Sequence, residues 1–131
     1  MIKPFMQGVL LCCAGISVQT FALGYSSGYE TCMRNANSQS EKIAACQKKE
    51  LKVQNKRVKK LYKLTLKNAS ESERSLIEQS QTVWQQRLNN ACNVSAKKLK
   101  EYTLSNSSCA LQMTLSHADM MEVQLRNKIP K

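Results

Sequence analysis

The sequence predicts an all-α protein, built as a disulfide-stapled helical hairpin with short N-terminal and C-terminal helices packed on it. Three observations support this prediction. Apolar residues recur at spacings of three and four in several long segments, and a helix-capping signature separates two of these segments. No segment shows the apolar–polar alternation of a strand. A chain of 131 residues has the size of one domain.

The hairpin is predicted over residues 48–92, with its turn at Ser70. The first helix should extend from about residue 40 to residue 67, with a buried seam that repeats close to every seven residues. The members of this seam are Ala44, Leu51, Val58, Leu61/Tyr62 and Thr65. The second helix should begin at Ser70, because Ser70 and Glu73 have the spacing of a capping box, and continue through Leu99 and Tyr102. Its apolar row is Leu76/Ile77, Val83/Trp84, Leu88 and Ala91.

Shorter helices are predicted at both ends of the mature chain. A short amphipathic segment covers residues 26–35, and capping residues at 37–40 break it from the first long helix. Residues 103–108 are predicted to be a polar loop before the last helix. The apolar positions of that last helix are Leu111, Leu115, Ala118, Met121 and Leu125, and Pro130 should end it.

Residues 1–22 are predicted to be a secretory signal peptide, which leaves a single helical domain over residues 23–131. Lys3 provides a positive start, an apolar run follows over residues 5–18, and Ala22 stands among small residues at the predicted cleavage site. The apolar run is too short for a permanent anchor, so no transmembrane span is expected after cleavage. We therefore expect an exported protein, either periplasmic or secreted.

Four of the six cysteines remain after this cleavage: Cys32, Cys46, Cys92 and Cys109. An even number in an oxidising compartment predicts two disulfides, and without a Cys-x-x-Cys pair we expect no metal, redox centre or cofactor. Nested bridges, Cys46–Cys92 and Cys32–Cys109, are slightly favoured because a turn near Ser70 places each pair at the same height. Sequential bridges, Cys32–Cys46 and Cys92–Cys109, stay open if the outer segments fold back locally.

The chain is strongly basic, with a formal charge of +11 that falls to +10 without Lys3. Six lysines recur at spacings of three or four along the predicted outer side of the first long helix: Lys49, Lys52, Lys56, Lys60, Lys63 and Lys67. We call this set the lysine face. An ordinary solvated surface would mix charges of both signs, so the lysine face is a candidate site for an anionic partner such as lipid headgroups or an envelope polymer. Nucleic acid is not an expected partner, because export separates them and no aromatic side chains interleave with the lysines.

An enzymatic activity is not expected. His117 is the only histidine, and the acidic residues do not form a pair that could act as general acid and base. Tyr62, Gln81 and Trp84 could form a binding cluster, but aromatic residues on facing helix seams usually belong to the core. We therefore expect these three residues to support the scaffold.

A set of cysteine, aromatic and polar residues recurs in a recognisable order along the chain. Its members are Cys32, Cys46, Val58, Tyr62, Ile77, Gln81, Trp84, Cys92, Cys109, Thr114 and Leu125. This arrangement resembles the LprI-like lysozyme-inhibitor family of small exported bacterial proteins, over nearly all of the mature chain. The resemblance implies a protein that blocks a lysozyme by protein–protein contact.

Polar positions depart from the family pattern. Lys59 stands where an asparagine is usual, Leu88 and Asn89 replace an Arg-Asp pair, and His117 replaces a frequent arginine. The resemblance therefore bears on the fold more than on the activity. The alternative function is a cationic envelope-associated protein that binds anionic lipid or cell-wall polymer through residues 49–67, without inhibiting lysozyme.

Overall fold

A computed structural model describes residues 24–128. Its elements are α1 (Ser27–Asn35), α2 (Ser40–Lys67), α3 (Glu71–Cys92), a short 3-10 turn (Leu99–Glu101) and α4 (Leu104–Lys128). Within this range there is no strand, so the all-α prediction is confirmed. None of the described helices is long and apolar enough to cross a membrane. The predicted signal peptide, residues 1–22, lies outside the described residues, as does Pro130.

The main packing partner of α2 is α4, which lies parallel to it. Ser107 near the start of α4 donates to Gln47 near the start of α2, while Arg57 contacts Asp119 further along both helices. The C-terminal helix has 25 residues and is therefore long, not short as predicted. Small residues of α4, including Ala110 and Ala118, are almost completely buried and allow this close approach. α3 connects the end of α2 to the start of α4 and runs antiparallel to both helices.

The core consists of two clusters along the α2–α4 pair. One contains Leu51, Leu88, Cys92, Val94, Ala110 and Leu111, and the other contains Val58, Leu61, Ala118, Met121 and Leu125. The predicted α2 seam is confirmed at its centre, while Ala44, Tyr62 and Thr65 are half-buried. The predicted α3 row is only partly correct, since Leu76, Val83 and Ala91 are exposed. The reason is that only a narrow strip of the α3 surface contacts α2 and α4, so the rest of the apolar row faces solvent.

The disulfides are sequential, so the slightly favoured nested pairing is wrong. Cys32 bonds to Cys46 and Cys92 bonds to Cys109, with Cα–Cα distances of 5.7 and 5.5 Å. Each outer helix folds back on its neighbour through a local turn. The turn after α1 uses left-handed backbone at Asn37 and Ser38, at φ 47° and 59°, which permits this reversal. Each bridge therefore closes a short segment of chain instead of joining the two sides of the hairpin.

Local capping residues explain where the helices begin and end. The capping box is confirmed: Glu73 N–H donates to Ser70 Oγ at 3.3 Å, and Ser70 N–H donates to Glu73 Oε2 at 2.9 Å. α3 ends at Cys92 rather than at Tyr102, because Asn93 adopts the left-handed conformation, at φ 54°. α4 begins before the predicted polar loop ends, because the Thr103 hydroxyl caps it by accepting from Asn106 N–H at 3.2 Å.

Candidate functional site

Tyr62, Gln81 and Trp84, the three residues of the family pattern considered above as a binding cluster, are called the family-motif residues. Gln81 and Trp84 meet at one contact between α3 and α4. The His117 ring stacks on Trp84, with ring centroids 4.0 Å apart and an interplanar angle of 10°. His117 Nε2 lies 2.9 Å from Gln81 Oε1. Burial lowers the pKa of His117, so the neutral ring is favoured and its Nε2–H can donate to Gln81. We call Gln81, Trp84 and His117 the polar bridge. The sequence had shown His117 only as the single histidine of the chain and did not indicate this contact.

A groove of about 390 Å³ lies beside the polar bridge, between α2, α3 and α4. Tyr62, the third family-motif residue, lines it together with Gln81 and His117. Apolar side chains complete much of the wall, and two of them, Leu76 and Met120, are 67% and 49% exposed. Tyr62 therefore shares a concavity with the polar bridge. Such a groove can accept a partner's side chain, but a concave surface cannot fill the cleft of an enzyme.

The connection between α3 and α4, residues 93–103, is exposed over much of its length but held at several points. The Cys92–Cys109 disulfide closes it, and Val94 is only 3% exposed within the core. Asn106 donates from Nδ2 to the Cys92 carbonyl at 2.8 Å, and its Oδ1 accepts from Thr103 N–H at 3.2 Å. We call residues 93–103 the α3–α4 loop. These contacts hold its conformation before any partner binds.

The exposed part of the α3–α4 loop is basic. Lys97, Lys98 and Lys100 are exposed, and Lys97 Nζ lies 3.3 Å from Asn106 Oδ1. Lys48 Nζ on α2 donates to the Lys100 carbonyl at 3.3 Å, which ties the loop to α2. Sequence reasoning missed this loop because it continued α3 to Tyr102. An asparagine after the last helical residue, here Asn93, was the available signal for a helix end.

All six residues of the lysine face are exposed, on the side of α2 opposite its core contacts. None of them takes part in an ion pair between described residues. Glu50, the acid within this lysine-rich segment, is 2% exposed and points inward. Its carboxylate accepts from Ser26 N–H at 2.9 Å, Ser26 Oγ at 2.5 Å and Gln54 Nε2 at 2.8 Å. Glu50 therefore supports the start of α1 and does not neutralise the lysines.

Acidic residues of α4 are bound by arginines and likewise do not pair with the lysine face. Arg57 donates from Nη1 to Asp119 at 2.7 Å and from Nη2 to Glu122. Arg126 lies 3.4 Å from the other oxygen of Glu122. Burial lowers the pKa of Arg57, but the bonds to Glu122 and Asp119 outweigh this and raise it. This network joins α2 to α4 on the flank of α2, away from the lysine face.

No site for a metal ion is visible within residues 24–128, since no three His, Cys, Asp or Glu side chains there lie close enough to hold one. The predicted site residues thus fall into separate places. The four cysteines form the two bridges. Tyr62 and Gln81 line the groove, Trp84 stacks on His117 beside it, and the lysine face lies on the outer side of α2.

Comparison with protein-family models gives a match to the family described as "Lysozyme inhibitor LprI", over residues 32–120. This range begins at the first disulfide cysteine and contains both bridges, the polar bridge and the complete α3–α4 loop. Comparisons with curated proteins and with solved structures gave no match.

Proposed function

The chain belongs to the LprI family of lysozyme inhibitors, and on this basis we propose that the protein inhibits a lysozyme by direct protein–protein contact. The family match is the observation that carries the proposal, because it extends over most of the described domain. Two disulfides support a location outside the cytoplasm, either periplasmic or secreted, where a peptidoglycan hydrolase would be met.

The α3–α4 loop is the contact that best suits this function. A lysozyme cleaves a glycosidic bond with a pair of carboxyl groups in a concave cleft. An inhibitor that occupies this cleft needs an exposed segment that is cationic or rich in hydrogen-bond donors. The α3–α4 loop is exposed and presents Lys98 beside Lys97, whereas the groove near Tyr62 is itself concave. The exposure and the lysines of the α3–α4 loop therefore suit a cleft that contains carboxyl groups.

The anchoring of the α3–α4 loop also favours tight binding. A loop that is ordered before binding loses little conformational entropy when it binds. The disulfide at Cys92 and the hydrogen bonds of Asn106 supply this order. Where the lysozyme is also basic, repulsion between the two proteins acts at long range and is screened beyond about 10 Å at 0.1 M salt, while a contact inside the cleft is short-range. Inhibition should therefore tolerate salt.

The test is a peptidoglycan-hydrolysis assay with the oxidised mature protein, residues 23–131, at two salt concentrations. We expect saturable inhibition that persists at the higher salt and is lost after reduction and alkylation. Lysozymes of different structural classes should be assayed in parallel. If the folded, oxidised protein inhibits none of them, the proposal is wrong for this chain.

Inhibition that disappears at high salt would have a different cause. A cationic protein can coat the anionic substrate and hide it from the enzyme without touching the enzyme. A binding measurement between the protein and lysozyme, made without peptidoglycan, separates the two cases. Direct binding at high salt is the result that the proposal requires.

A further inference from the structure

The positive charge of the lysine face is not neutralised within residues 24–128, since no acidic side chain there forms an ion pair with it. Its six lysines extend over 19 residues of α2, and Lys49 and Lys67 are about 27 Å apart along the axis at the rise of an α-helix. Adjacent members are three or four residues apart, a spacing at which like charges repel each other and destabilise the helix. The fold therefore tolerates this repulsion over most of α2.

The acids that could relieve this repulsion are directed to other positions. Glu50 turns inward to Ser26, although it lies next in sequence to Lys49. Asp119 and Glu122 are bound by Arg57 at the α2–α4 contact. The excess positive charge is thus gathered on one side of the helix, as in a surface that attracts an anionic partner.

The chemistry of the lysine face suits phosphate groups at a surface. In the C-terminal half of α2, a shallow depression is lined by Leu64 and four lysines: Lys56, Lys59, Lys60 and Lys63. Three of these lysines belong to the lysine face, and Lys59 lies next to it. Lysine ammonium groups act as compact point charges that attract phosphate without requiring one fixed geometry. No aromatic residue belongs to this described set, so it offers an electrostatic contact and no membrane-inserting anchor.

The shape of the lysine face favours a planar partner over a flexible polymer. A flexible polymer loses conformational entropy when it is held along a straight row of charges, whereas a membrane surface is already planar before it binds. The lysine face is instead the outer side of one continuous helix of 28 residues, so a flat surface can meet all of its charges together. We propose that the lysine face adsorbs to a membrane surface that carries anionic phospholipids. This function does not depend on lysozyme inhibition.

The experiment uses the purified mature protein with both disulfides intact and measures its cosedimentation with vesicles. One set of vesicles contains phosphatidylglycerol mixed with phosphatidylcholine, and the other contains phosphatidylcholine alone. We expect binding to the first set only, and weaker binding as sodium chloride is increased. No binding to the anionic vesicles, or equal binding to both sets, would overturn the proposal.

A matched pair of variants tests the location of the contact. Lys56→Gln, Lys60→Gln and Lys63→Gln are combined in one protein. The control combines Arg34→Gln, Arg74→Gln and Arg87→Gln, which are exposed cations outside α2 and remove the same charge. Each basic residue near an anionic surface contributes roughly fivefold, so we expect about a hundredfold loss for the lysine variant. The control should lose only a few-fold, and equal losses in the two variants would refute a localised contact.

Two further measurements keep the interpretation clear. Circular dichroism of the lysine variant should match that of the wild type, because the substituted side chains are exposed and removing like charges relieves repulsion. The same variant should still bind lysozyme, so loss of vesicle binding and loss of inhibition can be told apart. Binding to soluble polyphosphate without binding to anionic vesicles would contradict the proposal and indicate a polymer as the partner.

Discussion

Thr114 is a buried residue whose polar atom is not satisfied. It is 1% exposed, and its Oγ1 has no hydrogen-bond partner among residues 24–128. An unpaired buried hydroxyl opposes folding, because the unfolded chain can hydrogen-bond it to water. Thr114 is also one of the positions that match the family pattern. The hydroxyl therefore lowers stability on the buried side of α4, which it shares with Leu111 and Ala118.

Thr114→Val should raise the free energy of unfolding by about 1 kcal/mol, because it removes the hydroxyl and keeps the branched shape. Urea unfolding of the oxidised protein measures the change. Thr114→Ser is the control, since it keeps a hydroxyl and loses the methyl group, and it should be less stable than the wild type. A destabilised valine variant would show that the hydroxyl is bonded in solution.

His117 makes the stability of the protein depend on pH. Its pKa is lowered by burial in the folded protein, while the unfolded chain titrates near about 6.5. Between these two values the unfolded state binds more protons, so stability decreases as the pH falls. The contribution is complete above pH of about 6.5 and is lost as the pH drops through the folded pKa.

The prediction is a lower urea midpoint at pH 5 than at pH 7.5, with a smaller difference in His117→Phe. Phenylalanine retains a ring that can stack on Trp84 but does not titrate. Glu73 also has a lowered pKa, through its bonds to Lys128 and the Ser70 N–H, but it affects stability only near and below the ordinary glutamate pKa of 4.5. An unchanged pH dependence in His117→Phe would exclude the histidine as its source.

At the scale of elements, the α3–α4 loop differs from the turn between α2 and α3. The α2–α3 turn is a short capped reversal at Ser70, set by local hydrogen bonds. The α3–α4 loop depends on residues from both flanking helices, including Cys92, Asn106 and Cys109. It therefore combines exposure with order, which is the combination expected of a binding element.

Lys98→Glu should weaken lysozyme inhibition by more than tenfold, because it places a negative charge opposite the carboxyl groups of the cleft. The inhibition constant is measured at a salt concentration that screens long-range effects. Lys60→Glu is the matched control, with the same change in net charge at an exposed position on α2. If both variants inhibit as well as the wild type, the α3–α4 loop is not the contact.

At the scale of the whole molecule, the parallel helices α2 and α4 form the main packed pair, and the antiparallel α3 packs against them less extensively. Attachment points are the polar bridge at its centre, Leu88 in the core and the Cys92–Cys109 disulfide at its end. Lys128 and Glu73 add an ion pair of 2.6 Å between largely exposed groups, which contributes little. The Cys92–Cys109 disulfide therefore holds α3 and the α3–α4 loop in place, whereas the Cys32–Cys46 disulfide only joins α1 to α2.

Removing either disulfide should lower stability by about 3 kcal/mol, since both close loops of similar length. Only Cys92→Ser with Cys109→Ser should also weaken lysozyme binding, because it frees the α3–α4 loop. Cys32→Ser with Cys46→Ser is the comparison, and binding is measured at a temperature where both variants remain folded. Equal binding by the two variants would argue against a role for loop order.

The sequence by itself determined the features that depend on neighbouring residues. These are the helical class, the Ser70 capping box, the central α2 seam and the lysine face, because spacings of three and four decide which side chains share a helix face. The end of α3 at Asn93 was also a local feature, but a continuing apolar pattern obscured it.

Only the tertiary structure decided which faces meet. The disulfide pairing, the parallel α2–α4 contact and the polar bridge join residues far apart in sequence, and several amphipathic helices offered alternative partners. Burial of Glu50 follows from the docking of α1, which periodicity along α2 cannot show. The candidate contacts therefore depended on long-range packing, and its free energy cannot be inferred from the residues of any single segment.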